Sequence, residues 1–210
     1  MIQIQELTKI YGDVTAVDRI ALSVPKGQIC GYLGPNGAGK TTTIKLLSGM
    51  ISPSGGSARI AGYDVTENPI EVKKRIGYVP ESGAVYQSLA PYEYLKFIGR
   101  LYRVDDDTIS GRIEEFSGFL GIKDVLHQRM SSFSKGMKQK VIIASALIHS
   151  PEIILLDEPL NGLDSNAALL LKELLKNLSL QGITIFYSSH ILEVVEQLCD
   201  RVVIIDHGKI

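Results

Sequence analysis

Residues 34 to 43 read GPNGAGKTTT, with three glycines and an asparagine in the first six positions. Such a run supplies no packing side chains. Each glycine also loses more backbone freedom on folding than any other residue. The segment therefore has to be held by the elements on either side of it. Directly before it stands Ile29-Cys30-Gly31-Tyr32-Leu33, a short strand-like stretch. A helix is predicted directly after it. Strand, glycine turn and helix in that order point to an α/β fold.

The remaining pattern extends this expectation. Ile2 and Ile4 alternate with glutamines, and Ile20, Leu22 and Val24 alternate with polar or small residues. One apolar face at period two predicts half-buried antiparallel strands. Ile153-Ile154-Leu155-Leu156 does not alternate and ends at Asp157. That is the signature of a strand buried on both faces of a parallel sheet. Ile183 to Tyr187 and Val202 to Ile205 read in the same way. Leu170, Leu171, Leu174, Leu175 and Leu178 keep helical spacing, with Asp164 or Ser165 as cap and Gly182 past the end. Ile191, Val194, Val195 and Leu198 predict the next helix. From about Pro91 to Leu126 the patterns are helical, as in Tyr94, Leu95, Ile98 and Leu101 and then Ile113, Phe116, Phe119 and Leu120. Asp105-Asp106-Asp107 reads as a solvated loop or helix start. The expected architecture is an α/β core over 1–90 and 151–210 with a helical insertion over about 91–150. At the end, Asp206-His207-Gly208 has turn chemistry with two residues after it, so the natural chain is expected to continue.

Composition excludes several classes. Net charge is -1, from 22 basic and 23 acidic residues, which gives no basic footprint for nucleic acid or an anionic membrane. Cys30 and Cys199 lack metal-ligand spacing and read as small buried hydrophobes in a reducing compartment. The N-terminus, MIQIQELTK, does not resemble a signal peptide. The longest apolar run, Val141 to Ile148, includes Ser145 and falls far short of the ~20 residues that span a bilayer. A soluble, cytoplasmic chain is expected, with room for a membrane partner.

The glycine run acquires a purpose from its spacing. Gly34-Pro35-Asn36-Gly37-Ala38-Gly39-Lys40-Thr41 fits G-x-x-x-x-G-K-[ST] between strand and helix, the context of a phosphate-binding loop. Backbone N–H groups turn inward around phosphate oxygens, and the helix N-terminus adds partial positive charge. Lys40 reaches the β- and γ-phosphates, and the Thr41 hydroxyl is a hard ligand for Mg²⁺. Asp157, at the end of the buried strand, is placed to hold that metal. Glu158 is either a charge at a strand end or the carboxylate that orients and deprotonates water. His190 ends another apolar strand, as a plain polar terminus or as a group on the γ-phosphate side.

The stretch Phe133-Ser134-Lys135-Gly136-Met137, placed shortly before the buried strand, resembles the LSGGQ signature of ATP-binding cassette (ABC) ATPases. The other motifs of that family follow in order. Gly34 to Thr41 matches Walker A, Gly77-Tyr78-Val79-Pro80-Glu81 the Q-loop region, and Ile153 to Glu158 Walker B with its glutamate. Leu160 to Asp164 matches the D-loop and His190 the switch histidine. The resemblance covers essentially the whole chain. It implies a P-loop NTPase core, ATP and Mg²⁺ as ligands, and catalytic roles for Glu158, His190 and Lys40. It implies nucleotide contacts from Gly34 to Thr41, from Thr42, and from Tyr11, which matches the aromatic that stacks on adenine and alone would read as packing. It further implies that Ser134 and Gly136 contact the γ-phosphate held by a second ATPase domain, in a head-to-tail pair. Thr41, Glu81 and Asp157 become the metal set, although the family carries glutamine where this chain has Glu81. Lys135 adds a cation within the signature.

The combination is most similar to subunits that serve simple export permeases. The expected chain is an ATPase that powers transport through a transmembrane partner on the inner face of the membrane. The helical insertion and the segment Ser82 to Pro91 would be the docking surface, with Ala84, Val85, Tyr86 and Leu89 either meeting the permease or packing inside. The alternative is an ABC protein acting on ribosomes or DNA. One cassette, no heptad insertion and a neutral charge disfavour it. Glu158 disfavours a nucleotide sensor without turnover.

Overall fold

The computed structural model describes residues 1–81 and 85–210. The chain opens with β1 (Ile2–Tyr11) and β2 (Val14–Val24), an antiparallel pair in which Ile2 faces Val24 and Ile4 faces Leu22. Alternation buries Ile2, Ile4, Ile20, Leu22 and Val24 on one face, as period two requires. Then β3 (Ile29–Leu33) runs into the glycine loop and α1 (Lys40–Leu47). Two further strands, β4 (Gly55–Ile60) and β5 (Tyr63–Asp64), complete a four-stranded antiparallel sheet ordered β2-β1-β4-β5. Next come α2 (Pro69–Arg75) and β6 (Ile76–Val79), which leads to Glu81.

The middle of the chain is helical. It holds α3 (Pro91–Leu101), α4 (Asp106–Phe119), two short 3₁₀ turns, and α5 (Lys135–Leu147). Asp105 caps α4 by accepting the Thr108 N–H at 2.8 Å, and Asp106 pairs with Arg100, so the acidic triplet is a helix start. Every residue of the apolar run Val141 to Ile148 is buried, because α5 lies against α3, α4 and β6 at once. Leu101 departs from its predicted inward face and is exposed. It sits at the last turn of α3, where the helix runs out beyond its packing partners. His149, just past α5, ties this block to β6: one ring nitrogen bonds the Ile76 carbonyl at 2.9 Å, and the ring stacks on Tyr102 at 3.7 Å. Burial pushes its pKa down to about 4.

The chain then returns through β7 (Ile153–Asp157), α6 (Ser165–Leu180), β8 (Thr184–Ser189), α7 (Leu192–Leu198) and β9 (Arg201–Ile204). Asp164 caps α6 through the Ala167 N–H at 2.9 Å. Gly182 follows with φ +90°, a conformation that favours glycine. These strands form a five-stranded parallel sheet ordered β6-β7-β8-β3-β9. In β7, Ile153 and Leu155 enter one core and Ile154 and Leu156 the other, which explains why the stretch does not alternate. The expectation for Val202 to Ile205 is corrected. Strand β9 is at the sheet edge, and Val202 and Ile204 are 39% and 63% exposed. Ile191 likewise lies ahead of α7 at its cap, partly exposed. Cys30 and Cys199 are free thiols pushed up by burial to about 11 and about 12, as inert packing groups should be. Among the described residues no helix is long and apolar enough to cross a membrane.

The consequence for chemistry is positional. The carboxyl ends of β3, β7 and β8, which are neighbours in the sheet, deliver the glycine loop, Asp157-Glu158 and Ser188-Ser189-His190 to one edge.

Candidate active site

The loop after β3 is shaped by its close contacts. Gly39 has φ +108°, and a Cβ there would lie 2.5 Å from the Ala16 carbonyl oxygen, so only glycine fits. The three threonines divide their work. Thr43 turns into the core, where its hydroxyl donates to the Gly39 carbonyl at 3.0 Å and meets the Tyr32 hydroxyl at 3.3 Å. Thr41 and Thr42 face outward and line a cleft of about 300 Å³ together with Asn36, Gly37, Gly39, Lys40, Ala16, Glu81 and Glu158. Gly34 and Ala38 are buried and shape the turn from behind, and Pro35 is exposed outside the cleft lining.

Lys40 is the loop's cation and is 6% exposed. Its ammonium donates to the carbonyls of Gly34 at 2.7 Å and Pro35 at 3.0 Å. It also lies 3.3 Å from the Glu158 carboxylate, itself 7% exposed. Glu158 Oε1 has no aligned hydrogen bond. The Glu158 contact lacks hydrogen-bond alignment and is one of charge. The other carboxylate oxygen, Oε2, lies 3.0 Å from His190 Nδ1, and the histidine ring is 41% exposed toward solvent. Lys40, Glu158 and His190 come together as expected, from three different strand ends. Glu158 holds this position with φ +47°, a left-handed backbone uncommon for a side chain of this kind.

Asp157 is buried directly behind the cleft and accepts a hydrogen bond from the Ser188 hydroxyl at 2.8 Å. Burial, and next the Asp157 carboxylate, push the Tyr78 phenol up to about 12. Glu81 is exposed, lines the cleft, and accepts a long bond from the Asn161 amide at 3.4 Å. Among the described residues no group of three or more His, Cys, Asp or Glu could hold a metal alone. The donors still suit Mg²⁺, which takes one or two carboxylates and completes its shell with phosphate oxygens and water. Thr41 and Glu81 offer hard oxygens in the cleft itself, with Asp157 behind it.

Other expected residues stand apart. Tyr11 is 48% exposed at the end of β1, outside the cleft lining, with the Lys9 ammonium 5.0 Å from its ring. Ala16 on β2 lines the cleft instead, a backbone approach with no signal in the sequence. Ser134 caps α5 by accepting the Met137 N–H at 3.2 Å, and neither Ser134 nor Gly136 borders the cleft. A Cβ at Gly136 would lie 2.7 Å from the Gly162 carbonyl oxygen, which fixes that position as glycine. Ser188 also bonds the Glu158 N–H, a role that no local sequence pattern marks.

A phosphate loop, a buried lysine and a strand-end acidic pair occur in more than one nucleotide-binding family. The comparison with known families decides between them: residues 17–161 match the family model described as ABC transporter. The chain belongs to the ABC transporter family. One similar ABC chain is the transporter ATP-binding protein NatA of Bacillus subtilis, 41% identical, covering all of this chain and 87% of that protein. The linearmycin resistance ATP-binding protein LnrL of the same organism is 38% identical over all of this chain and 67% of its own length. A solved ATP-binding subunit of an ABC transporter superposes with a TM-score of 0.94 at 30% identity, covering 100% of this chain and 88% of that one. The parallel sheet, antiparallel β part and helical block are thus those of ABC ATPase domains.

Proposed function

We propose that this chain is the ATP-hydrolysing subunit of a membrane transporter, most like an exporter. The observation that carries the reading is the buried Lys40–Glu158 pair facing the phosphate loop, with His190 on the carboxylate from the solvent side. In this reading Asn36, Gly37, Gly39 and Thr42 cradle the phosphates with backbone and hydroxyl groups, Lys40 offsets the β- and γ-charges, and Tyr11 stacks on the base. Glu158 accepts the proton of the attacking water, and His190 holds the carboxylate in place and faces the γ-phosphate side. Thr41, Asp157 and Glu81 would hold Mg²⁺, which would supply charge neutralisation at the phosphates. The resistance role in a relative's name supports the outward direction. The family match favours transport over action on ribosomes or DNA.

The metal assignment makes one test of its own. Glu81→Gln is expected to shift the Mg²⁺ concentration for half-maximal turnover more than it shifts ATP affinity, because it removes a charge from the metal's side of the cleft. Superimposable Mg²⁺ titrations for mutant and parent would assign Glu81 to the surface.

Ser134 and Gly136 have no contact with their own cleft, which supports a shared site completed by a second copy or a related chain. ATP binding then closes two chains head to tail, a two-state switch biased by the γ-phosphate. The helical block over 91–150 transmits that closure to a permease, which holds the chain at the inner face of the membrane. Phe97 and Leu101 are exposed on this block and Tyr86 just ahead of it, with the Tyr86 ring 6.2 Å from those of Phe97 and Tyr94. Val85 is buried and Leu89 partly so; these two pack inside. Ser82 and Ala84 lie outside the described residues.

Sharing has a kinetic signature. At dilutions where chains are mostly single, turnover by the purified chain should rise with the square of its concentration, and Ser134→Arg should reduce it to background while ADP affinity stays unchanged. A rate strictly proportional to concentration, with Ser134→Arg fully active, would show that each chain works alone.

A further inference from the structure

Strands β7 and β8 pair in parallel with Asp157 opposite Ser188, so the two side chains lie side by side at the sheet's carboxyl edge. Ser188 has no exposed surface. A hydroxyl buried to that degree needs partners, and it has two. It donates to Asp157 Oδ1 at 2.8 Å and accepts the backbone N–H of Glu158 at 3.1 Å. The directions are fixed by chemistry: a carboxylate only accepts, so the single hydroxyl proton goes to Asp157 and a lone pair remains for the N–H. Among the described residues this is the one hydrogen bond to the Asp157 carboxylate. The Glu158 N–H it accepts belongs to the residue with φ +47°, a backbone state that persists only when its surroundings hold it.

We propose that Ser188 is a positioning residue for hydrolysis, setting the Asp157 carboxylate and the Glu158 backbone through one hydroxyl. It does not line the cleft and acts only through these two residues. It holds Asp157 in the orientation that presents the other oxygen to the metal, and it pins the left-handed turn that aims the Glu158 side chain at Lys40 and His190. The inference rests on the roles given above to Asp157 and Glu158. The neighbouring Ser189 supplies an internal contrast, because its hydroxyl accepts the Ile191 N–H at 3.0 Å and serves the turn into α7 instead.

The test compares Ser188→Ala, Ser188→Thr and Ser189→Ala in the full chain. Ser188→Ala should lower kcat by roughly 10–100-fold, the usual effect of losing a group that orients a metal ligand, with KM for ATP nearly unchanged. By calorimetry it should also reduce the gain in ADP affinity that Mg²⁺ provides, while metal-free ADP binding stays at the parent value and shows that the loop is folded. Ser188→Thr keeps the hydroxyl and should recover most of both losses, and Ser189→Ala should show neither. Parent-like kcat and Mg²⁺ response in Ser188→Ala would overturn the proposal, as would equal losses in the Ala and Thr variants, since volume rather than the hydroxyl would then decide. Glu158→Gln separates the levels. If it retains full turnover, the acidic-pair reading fails first. If it loses turnover while Ser188→Ala does not, only the positioning role fails.

Discussion

Replacing Glu158 by glutamine should lower ATP turnover by roughly 10²–10⁴-fold, the range expected when a general base is removed, while ATP and Mg²⁺ still bind. Glutamine keeps the shape of the side chain and a carbonyl oxygen for hydrogen bonding, but it cannot take the proton from water. The rest of the cluster persists: Lys40 retains its bonds to the Gly34 and Pro35 carbonyls, and His190 retains a polar partner. The loss therefore belongs to the chemical step. If the site is shared, uncleaved ATP should also hold two chains together, so that the Glu158→Gln protein sediments as a dimer with ATP and as a monomer with ADP. Adding Ser134→Arg, which puts a bulky side chain where the partner's γ-phosphate would lie, should return it to monomer without loss of ATP binding. A Glu158→Gln chain that stays monomeric at saturating ATP would contradict the shared site. One that hydrolyses ATP at the parent rate would remove Glu158 from the mechanism.

What the sequence displays of this site, and what it conceals, follows from the range of the forces involved. Asp157 is legible because a short apolar run without alternation, ended by a carboxylate, suits a strand covered on both faces, and its polar end then lies at the end of the sheet. The cap at Asp164 and the glycine loop are legible for the same reason: their chemistry is satisfied within a few residues. The pairing of Asp157 with Ser188 depends on the register between two strands separated by α6, and nothing local to either encodes it. Strand order is similarly hidden. Val202 to Ile205 is as continuously apolar as Ile153 to Leu156, yet β9 occupies the edge because the crossovers, and not the strand residues, set the order. Gly55 and Gly56 weaken the strand signal of β4, whose place is fixed by its pairing with β1. Tyr11 is known as a base-stacking candidate only from the motif, since an exposed ring beside Lys9 carries no local mark of that role.

Removing the loop lysine should have the largest effect on binding. Lys40→Ala is expected to weaken ATP by about 2–5 kcal/mol, the usual cost of deleting one partner from a desolvated charge pair, or roughly thirty- to several-thousand-fold at 1.4 kcal/mol per decade. Two effects combine. The phosphates lose their cation, and the Glu158 carboxylate, buried at 7% exposure, loses the positive charge 3.3 Å away. An uncompensated carboxylate then repels the incoming phosphates across the same cleft. The two residues are thus coupled, and the double variant Lys40→Ala, Glu158→Gln should bind ATP better than Lys40→Ala alone, because it relieves that repulsion. If Lys40 binds the phosphates, nucleotide is expected to compete with Glu158 for the ammonium. Calorimetry on the four proteins checks this directly: a non-additive gain in the double variant supports the coupling. Unchanged ATP affinity in Lys40→Ala would remove the loop from nucleotide binding, and a double variant no better than Lys40→Ala would confine the lysine's role to the phosphates.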